Sequence, residues 1–505
     1  MKKSWIYVLQ LLLIICFQAD AEISQPARSG ELLFGWASVN ITPERPVALD
    51  GMFHTRISSG VNDELTATAL AIEARDEQGQ IDQAVIVSCD MVGIRRMITE
   101  KVRKLVQKKL PELDVNKIVI AATHTHTAPV QSDAEEAAAL QPFDFMAYWI
   151  YQMPKDRKDV MRPGEYVAFL AERLSDIVVK AWEGRKPGGM SFALSHAVIA
   201  NNRRAVYANG QARMYGSTND RNFEQIEGAS DHSVDVVFFW REGKQLEGVA
   251  INIYCPAQVA GNVSYISANY WHEARELLRK KYNQDLYILP LTGAAGDQAP
   301  FLLLDKKAEA EMLKRRKLTH REEVGRRILK AVDDVAEVGR EDIRTKMPFQ
   351  HRVERVALPV RQLSEARYAK ELAVYEAGKD KTDELELRDY NKWQLSRILK
   401  ERFEYQKKDP FYYAEIHTLR LGDLAVATDP FELFTDYGFR IKGRSPAVQT
   451  MVVQLAVDCM GYLPTQRAVQ AGGYSAREIE GLIGPKGGTV LVDETVKALK
   501  GLWGQ

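Results

Sequence analysis

The chain has 505 residues, with 68 lysines and arginines against 68 aspartates and glutamates, and 46% of it is hydrophobic. That composition predicts a globular chain with a sizeable core, and excludes disorder as the main state, a collagen or coiled-coil rod and a polytopic membrane protein. Zero formal net charge leaves no global basic field for nucleic acid and no acidic one for a basic partner, so function has to be sought in local groups of residues.

At the N-terminus, Lys2 and Lys3 precede an apolar run over 5–17, and Ala19 and Ala21 place small residues at −3 and −1 of a cleavage point. The pattern predicts a secretory signal peptide over 1–21, with a secreted or periplasmic mature protein. A membrane span needs about 20 apolar residues, more than this run supplies. Cys16 falls inside the signal, so Cys89, Cys255 and Cys459 remain and at most one disulfide is expected.

Strands are expected at 35–39 and 66–74, with turn signals at Asp50-Gly51 and Asn62-Asp63. The continuous apolar run 84–89 reads as a strand buried on both faces, and 117–122 as another. Helical spacing over 94–109 joins them into a βαβ unit, whose ligands sit beyond the carboxyl ends of the strands. A hairpin is expected from 234–240 and 248–255, then a strand at 286–291. From 306 to 408 charge density rises, and long solvated helices over 315–336 and 364–405 are expected there. Strands resume at 416–421, 424–428 and 450–455. The expected fold is α/β, a mixed-sheet core with βαβ units and an inserted charged α-helical region. Residues 22–505 would form one catalytic domain.

The strongest chemical signal is His124-Thr125-His126, just after a buried strand. In an extended segment residues i and i+2 point the same way, so both imidazoles can face one cleft. Imidazole is also the commonest metal ligand and is neutral enough at pH 7 to serve. Three other polar groups end apolar runs: Asp231-His232 with Cys255-Pro256, the turn from Asp429 to Glu432, and the segment from Gly461 to Thr465. Asp90, at a neighbouring strand end, suits either orienting a histidine or capping the next helix.

The order of motifs resembles the neutral/alkaline non-lysosomal ceramidase family. The resemblance is carried by Gly35-Trp36-Ala37-Ser38-Val39-Asn40-Ile41-Thr42-Pro43, Val87-Ser88-Cys89-Asp90 and Ala122-Thr123-His124-Thr125-His126-Thr127-Ala128-Pro129. It continues through Gly293-Ala294-Ala295-Gly296-Asp297, Pro430-Phe431-Glu432 and Gly461-Tyr462. It implies a single zinc ion and cleavage of an amide bond. His124, Glu432 and Tyr462 match metal ligands and His126 a substrate-side histidine. Arg203 and Arg204, in a segment similar to the family's Asn-Arg stretch, and Asp297 become substrate-binding candidates.

Two positions depart from the family. Cys255 stands where the second histidine ligand falls, and Ala299 where the nucleophilic serine falls. With no hydroxyl at 299, zinc-bound water becomes the expected nucleophile, with His126 and Asp90 assisting. If the hairpin turns near Gly243 or Lys244, His232 lies across from Cys255 and can supply the missing imidazole, with the Cys255 thiolate as runner-up. The reading that follows is an exported zinc-dependent hydrolase of an amide or ester bond in a small lipid-like or glycan-derived molecule, with no nucleic acid and no transmembrane anchor. A carbohydrate-active hydrolase or lyase, or a non-catalytic binding member, are the alternatives.

Overall fold

The computed structural model of the protein describes residues 29–52, 54–76, 81–131, 157–382 and 385–505. The expected signal over 1–21 lies outside the described residues. Among those described, no helix is long and apolar enough to cross a membrane.

The fold is mixed α/β, with two sheets packed face to face and helices on both outer sides. The larger sheet runs Gln449–Val453, Leu424–Thr428, Phe411–Leu421, Lys346–Pro359, Ser29–Asn40, Thr66–Asp76, Ile81–Cys89, Ile118–Ala122. Its neighbours are antiparallel except at the two ends, where 81–89 runs parallel to 118–122 and 424–428 parallel to 449–453. The second sheet runs Tyr287–Thr292, Gln245–Ile253, Ser233–Arg241, Gly189–His196.

Period-two alternation sets the layers. Along Gln245–Ile253, Ala250 joins Leu289, Val237 and Phe239 against Trp36, Leu70 and Val119 of the larger sheet. Val249, Ile251 and Ile253 turn outward onto helices Tyr270–Lys281 and His320–Glu341. On the far side of the larger sheet, helices Arg96–Lys109 and Pro163–Glu183 cover the 66–122 half. Helices Thr435–Arg444 and Pro485–Leu502 cover the other half. Arg96–Lys109 is helical for a legible reason: Ile98, Val102 and Val106 recur every fourth residue on its buried face, and Lys108 and Lys109 complement the C-terminal end of its dipole.

The predicted βαβ unit is present, with Val85 to Cys89 in parallel register with Ile118 to Ala122. The hairpin register is as expected too, Val234 opposite Ile253 and Asp235 opposite Asn252. The stretch 306–408 differs from expectation, because it contains the fourteen-residue strand Lys346–Pro359. Helix His320–Glu341 also belongs to a layer of the core. The helices that stand apart are Glu365–Gly378 and Leu387–Lys408, inserted between two strands whose ends, Pro359 and Phe411, are direct partners. Cys89, Cys255 and Cys459 are all buried free thiols. The two halves of the larger sheet meet over three pairs, Ser29 with Pro348, Gly30 with Met347 and Glu31 with Lys346.

Candidate functional site

Strands 81–89 and 118–122 end side by side, and the chain turns immediately beyond 118–122. His124 has φ 63°, a left-handed conformation that non-glycine residues seldom adopt. The threonines around it hold the turn: Thr125 Oγ1 and Thr127 Oγ1 donate to the Ser267 carbonyl at 2.9 and 2.7 Å. His124 Nδ1 lies 2.5 Å from the Val92 carbonyl oxygen, to which it donates. Its Nε2 lies 3.2 Å from Glu432 Oε2 and 3.5 Å from His126 Nε2. The two imidazoles meet as the sequence predicts, but through this turn rather than through extended alternation.

His126 is half-buried. Its carbonyl accepts from Arg56 Nη2 at 2.7 Å, and its Nε2 lies 2.7 Å from the Gln258 amide nitrogen. Gly51 backs the ring so closely that a Cβ there would sit 2.3 Å from His126 Cγ. Burial, reinforced by the positive surroundings of His124, Arg56 and Arg203, pushes the His126 pKa well below the ordinary imidazole value. The ring is therefore neutral at pH 7, with the Gln258 amide donating to its Nε2.

The other wall comes from the far half of the chain. Beyond strands 424–428 and 449–453, Glu432–Leu433 pairs in parallel with Tyr462–Leu463, setting Glu432 opposite Tyr462. Burial, with Glu432 and Tyr474 nearby, holds the Tyr462 phenol well above its usual pKa, so it stays protonated. Tyr474 packs edge-on against Tyr462 at 5.5 Å between ring centres. Arg203, only 3% exposed, donates through Nη2 to Tyr462 Oη at 3.0 Å and to the Gly296 carbonyl at 2.9 Å.

His124, His126, Glu432, Tyr462 and Arg203 are thus brought together. The other expected site residues have different work. Asp90 pairs with Arg275 at 2.7 Å and accepts from the Thr66 amide and from Thr123 Oγ1, bracing the turn before His124 rather than a histidine ring. Asp297 accepts from Thr435 N and Oγ1 at the start of helix Thr435–Arg444, and from Asn202 Nδ2, so its carboxylate is used inside the framework. Arg204 is fully buried on Glu227. Cys255 continues the alternation of Val249, Ile251 and Ile253 onto the helix-covered face, where its thiol lies 3.8 Å from the Ile199 carbonyl and burial pushes its pKa up. His232 precedes strand Ser233–Arg241, its carbonyl accepting from the Ala197 amide, and its ring has Asp231 and His196 for charged surroundings. Ala299 is fully buried in a two-residue ladder opposite Asn201. Gln258 and Tyr474 were not among the expected residues. Both sit in loops past recognisable landmarks, Cys255-Pro256 and Gly472-Gly473, but a lone glutamine or tyrosine carries no spacing signal.

No protein-family model matches the chain, and no curated protein matches it in sequence. Solved structures do match in shape. The neutral ceramidase from Pseudomonas aeruginosa aligns over 93% of this chain and 75% of its own, with a TM-score of 0.64 and 15% identity. A ceramidase complexed with C2 aligns over the same shares, with a TM-score of 0.65 and 15% identity. The chain has a ceramidase-like fold. At that identity the likeness is one of architecture, and chemistry has to be argued from the residues.

On this ceramidase-like fold the expected zinc site can be tested against its donors. Among the described residues no group of three or more His, Cys, Asp or Glu side chains is arranged to hold a metal ion. His124 converges with Glu432 and His126, while the Cys255 thiol is turned to the Ile199 carbonyl and the His232 ring has Asp231 and His196 around it. Tyr462, the fourth expected ligand, is a neutral phenol already accepting a hydrogen bond from a buried guanidinium. His124 and Glu432, with Tyr462 opposite Glu432, are the expected ligands that the fold brings together.

Proposed function

We propose that the protein is a hydrolase of an amide or ester bond, acting on a small lipid-like or glycan-derived molecule. The observation that carries this reading is the convergence of His124, His126, Glu432, Tyr462 and Arg203 beyond the strand ends of a ceramidase-like fold. Neutral His126 accepts a proton from water as the oxygen adds to the acyl carbon. Tyr462, a protonated phenol, and the Arg203 guanidinium offer charge and hydrogen bonds to the oxyanion that develops. Collapse breaks the acyl–nitrogen or acyl–oxygen bond, and the proton held on His126 passes to the leaving group. No step requires a side-chain nucleophile, which agrees with alanine at 299. Export, expected from residues 1–21, would place this activity in the periplasm or outside the cell.

The test is a panel of N-acyl, O-acyl and glycosidic substrates, with His126→Ala alongside. Turnover of an acyl substrate is expected, reduced about 100-fold or more in His126→Ala. Turnover of glycosides alone, or acyl turnover untouched by His126→Ala, would overturn the reading.

A further inference from the structure

The inserted helices Glu365–Gly378 and Leu387–Lys408 leave a cavity of about 490 Å³ where they meet segment 469–479 of the body. The body side is held in place: Arg204, locked on Glu227, donates to the Gly472 and Tyr474 carbonyls at 2.6 Å each. The apolar lining is aliphatic, from Val374, Leu395, Leu399, Val469 and Ile479. Among the described residues no aromatic side chain lines it, so a nucleobase or sugar ring would find no face to stack on. The charged lining is unbalanced, with Arg361, Arg367, Lys370, Lys392 and Arg477 against Glu371 and Glu478. Arg367 reaches both carboxylates, at 3.2 and 3.8 Å, and Arg477 is taken by Glu480. Glu371, 7% exposed, also accepts from Ser396 Oγ at 2.6 Å. Arg361 Nη1 donates to the Ala476 carbonyl at 2.9 Å, with Glu478 and Glu480 in its surroundings. Both carboxylates of the lining are thus occupied. Lys370 and Lys392, one from each helix, are left over: they are exposed and make no ion pair among the described residues.

We propose that this cavity binds a single-chain amphiphile with an anionic head, its hydrocarbon chain against the aliphatic side chains and its head beside Lys370 and Lys392. The volume falls within the range of about 300–1,000 Å³ of small-molecule sites. The chain supplies affinity by leaving water, and the two lysines select the sign of the head. A lysine ammonium is a point charge on a flexible stem, so the head is chosen by its charge rather than by a fixed shape. None of the lining residues belongs to the group around His124, so the cavity is a separate site. It adjoins that group, because segment 469–479 carries Tyr474, whose ring packs on Tyr462. Binding here does not depend on the protein being a hydrolase.

The experiment is calorimetric titration of the full chain with dodecanoate, kept below its micelle concentration. Binding is expected, weakened about tenfold or more in the double variant Lys370→Glu/Lys392→Glu. Both positions are exposed and unpaired, so the variant should keep the wild-type urea midpoint. Acetate, which has the charge without the chain, should bind at least about 100-fold more weakly. Dodecyltrimethylammonium, which has the chain with the opposite charge, should bind at least about tenfold more weakly. His126→Ala should bind dodecanoate as wild type does. No dodecanoate binding, equal affinity in wild type and the double lysine variant, or equal affinity for the cationic amphiphile would each overturn the proposal. A loss confined to His126→Ala would overturn it too, by moving the chain into the group around His124. None of these titrations reads turnover, so failure of every acyl substrate removes the hydrolase reading and leaves this site standing.

Discussion

A methyl group added at Gly296 would lie 2.2 Å from the Glu432 carbonyl oxygen and 3.1 Å from Phe434 Cδ1. The nearest obstacle is backbone, which cannot rotate away, so the strand carrying Glu432 would have to shift. Gly296→Ala is expected to destabilise the fold by about 1–3 kcal/mol, read as a lower urea midpoint. Gly293 is equally constrained, by Tyr254, so the Gly-Ala-Ala-Gly-Asp run is short-chained for packing. That reason was invisible in the sequence, where the run carried a family resemblance and only Asp297 was a substrate candidate. A second residue-scale prediction concerns Asp235, fully buried on the second sheet, where it accepts from Tyr254 Oη and Gln449 Nε2 at 2.8 Å each. Burial outweighs these donors and nearby Lys442 and raises its pKa to about 6. The folded state therefore holds the proton more tightly than the unfolded chain, whose carboxyl has a pKa of about 3.9. Stability from this group is complete below about pH 4 and is lost as pH rises to about 6, by roughly 3 kcal/mol. Urea unfolding across that window should find a smaller fall with rising pH in Asp235→Asn than in wild type; equal slopes would refute it. Of the site, the histidine pair, Glu432 and Tyr462 were legible from motif and position. Arg203 was seen as a substrate candidate, but its bonds to Gly296 and Tyr462 join residues too far apart in sequence to be read from it.

At the scale of elements, the helical pair Glu365–Gly378 and Leu387–Lys408 fills a loop whose strand ends are already paired, Pro359 with Phe411. A short turn can span that gap, since paired residues on neighbouring antiparallel strands lie about 4.5–5.5 Å apart at Cα. The pair packs within itself, Tyr368 stacking on Phe403 at 4.3 Å, and touches the body near Leu363 and Ile479. Replacing 364–408 by a four-residue turn should leave a protein that unfolds in urea in a single cooperative transition. Loss of cooperativity would mean the pair is part of the core. The sequence marked this region as charged and helical, yet the same charge concealed strand Lys346–Pro359. Its buried Met347, Phe349 and His351 alternate with Pro348, Gln350 and Arg352, a period-two signal drowned by the arginines and glutamates around it. The buried parallel strands 81–89 and 118–122 were easy to read because nothing polar interrupts them.

For the whole molecule, two sheets and two helical layers put His124 and His126 on one half of the chain and Glu432 and Tyr462 on the other. Sequence could supply the strands and one crossover, but the pairing of distant strands is set by which apolar faces meet, and a linear pattern does not say so. The four-layer stacking was therefore out of reach while the α/β class was not. The narrow joint of the larger sheet, three pairs between the segment starting at Ser29 and the strand starting at Lys346, has a temporal consequence. During synthesis the first half-sheet leaves the ribosome with an incompletely closed edge: strand 29–40 gains Lys186–Pro187 at Leu33 and Phe34, but waits for its other neighbour, encoded hundreds of residues downstream. At about 5–20 residues per second that interval lasts on the order of tens of seconds. For most of it the nascent chain carries His124 and His126 but not Glu432 or Tyr462, so the site is incomplete until the second half has been made. The nascent chain is also open at the edge through which a chaperone, or a second unfinished copy, would pair with it.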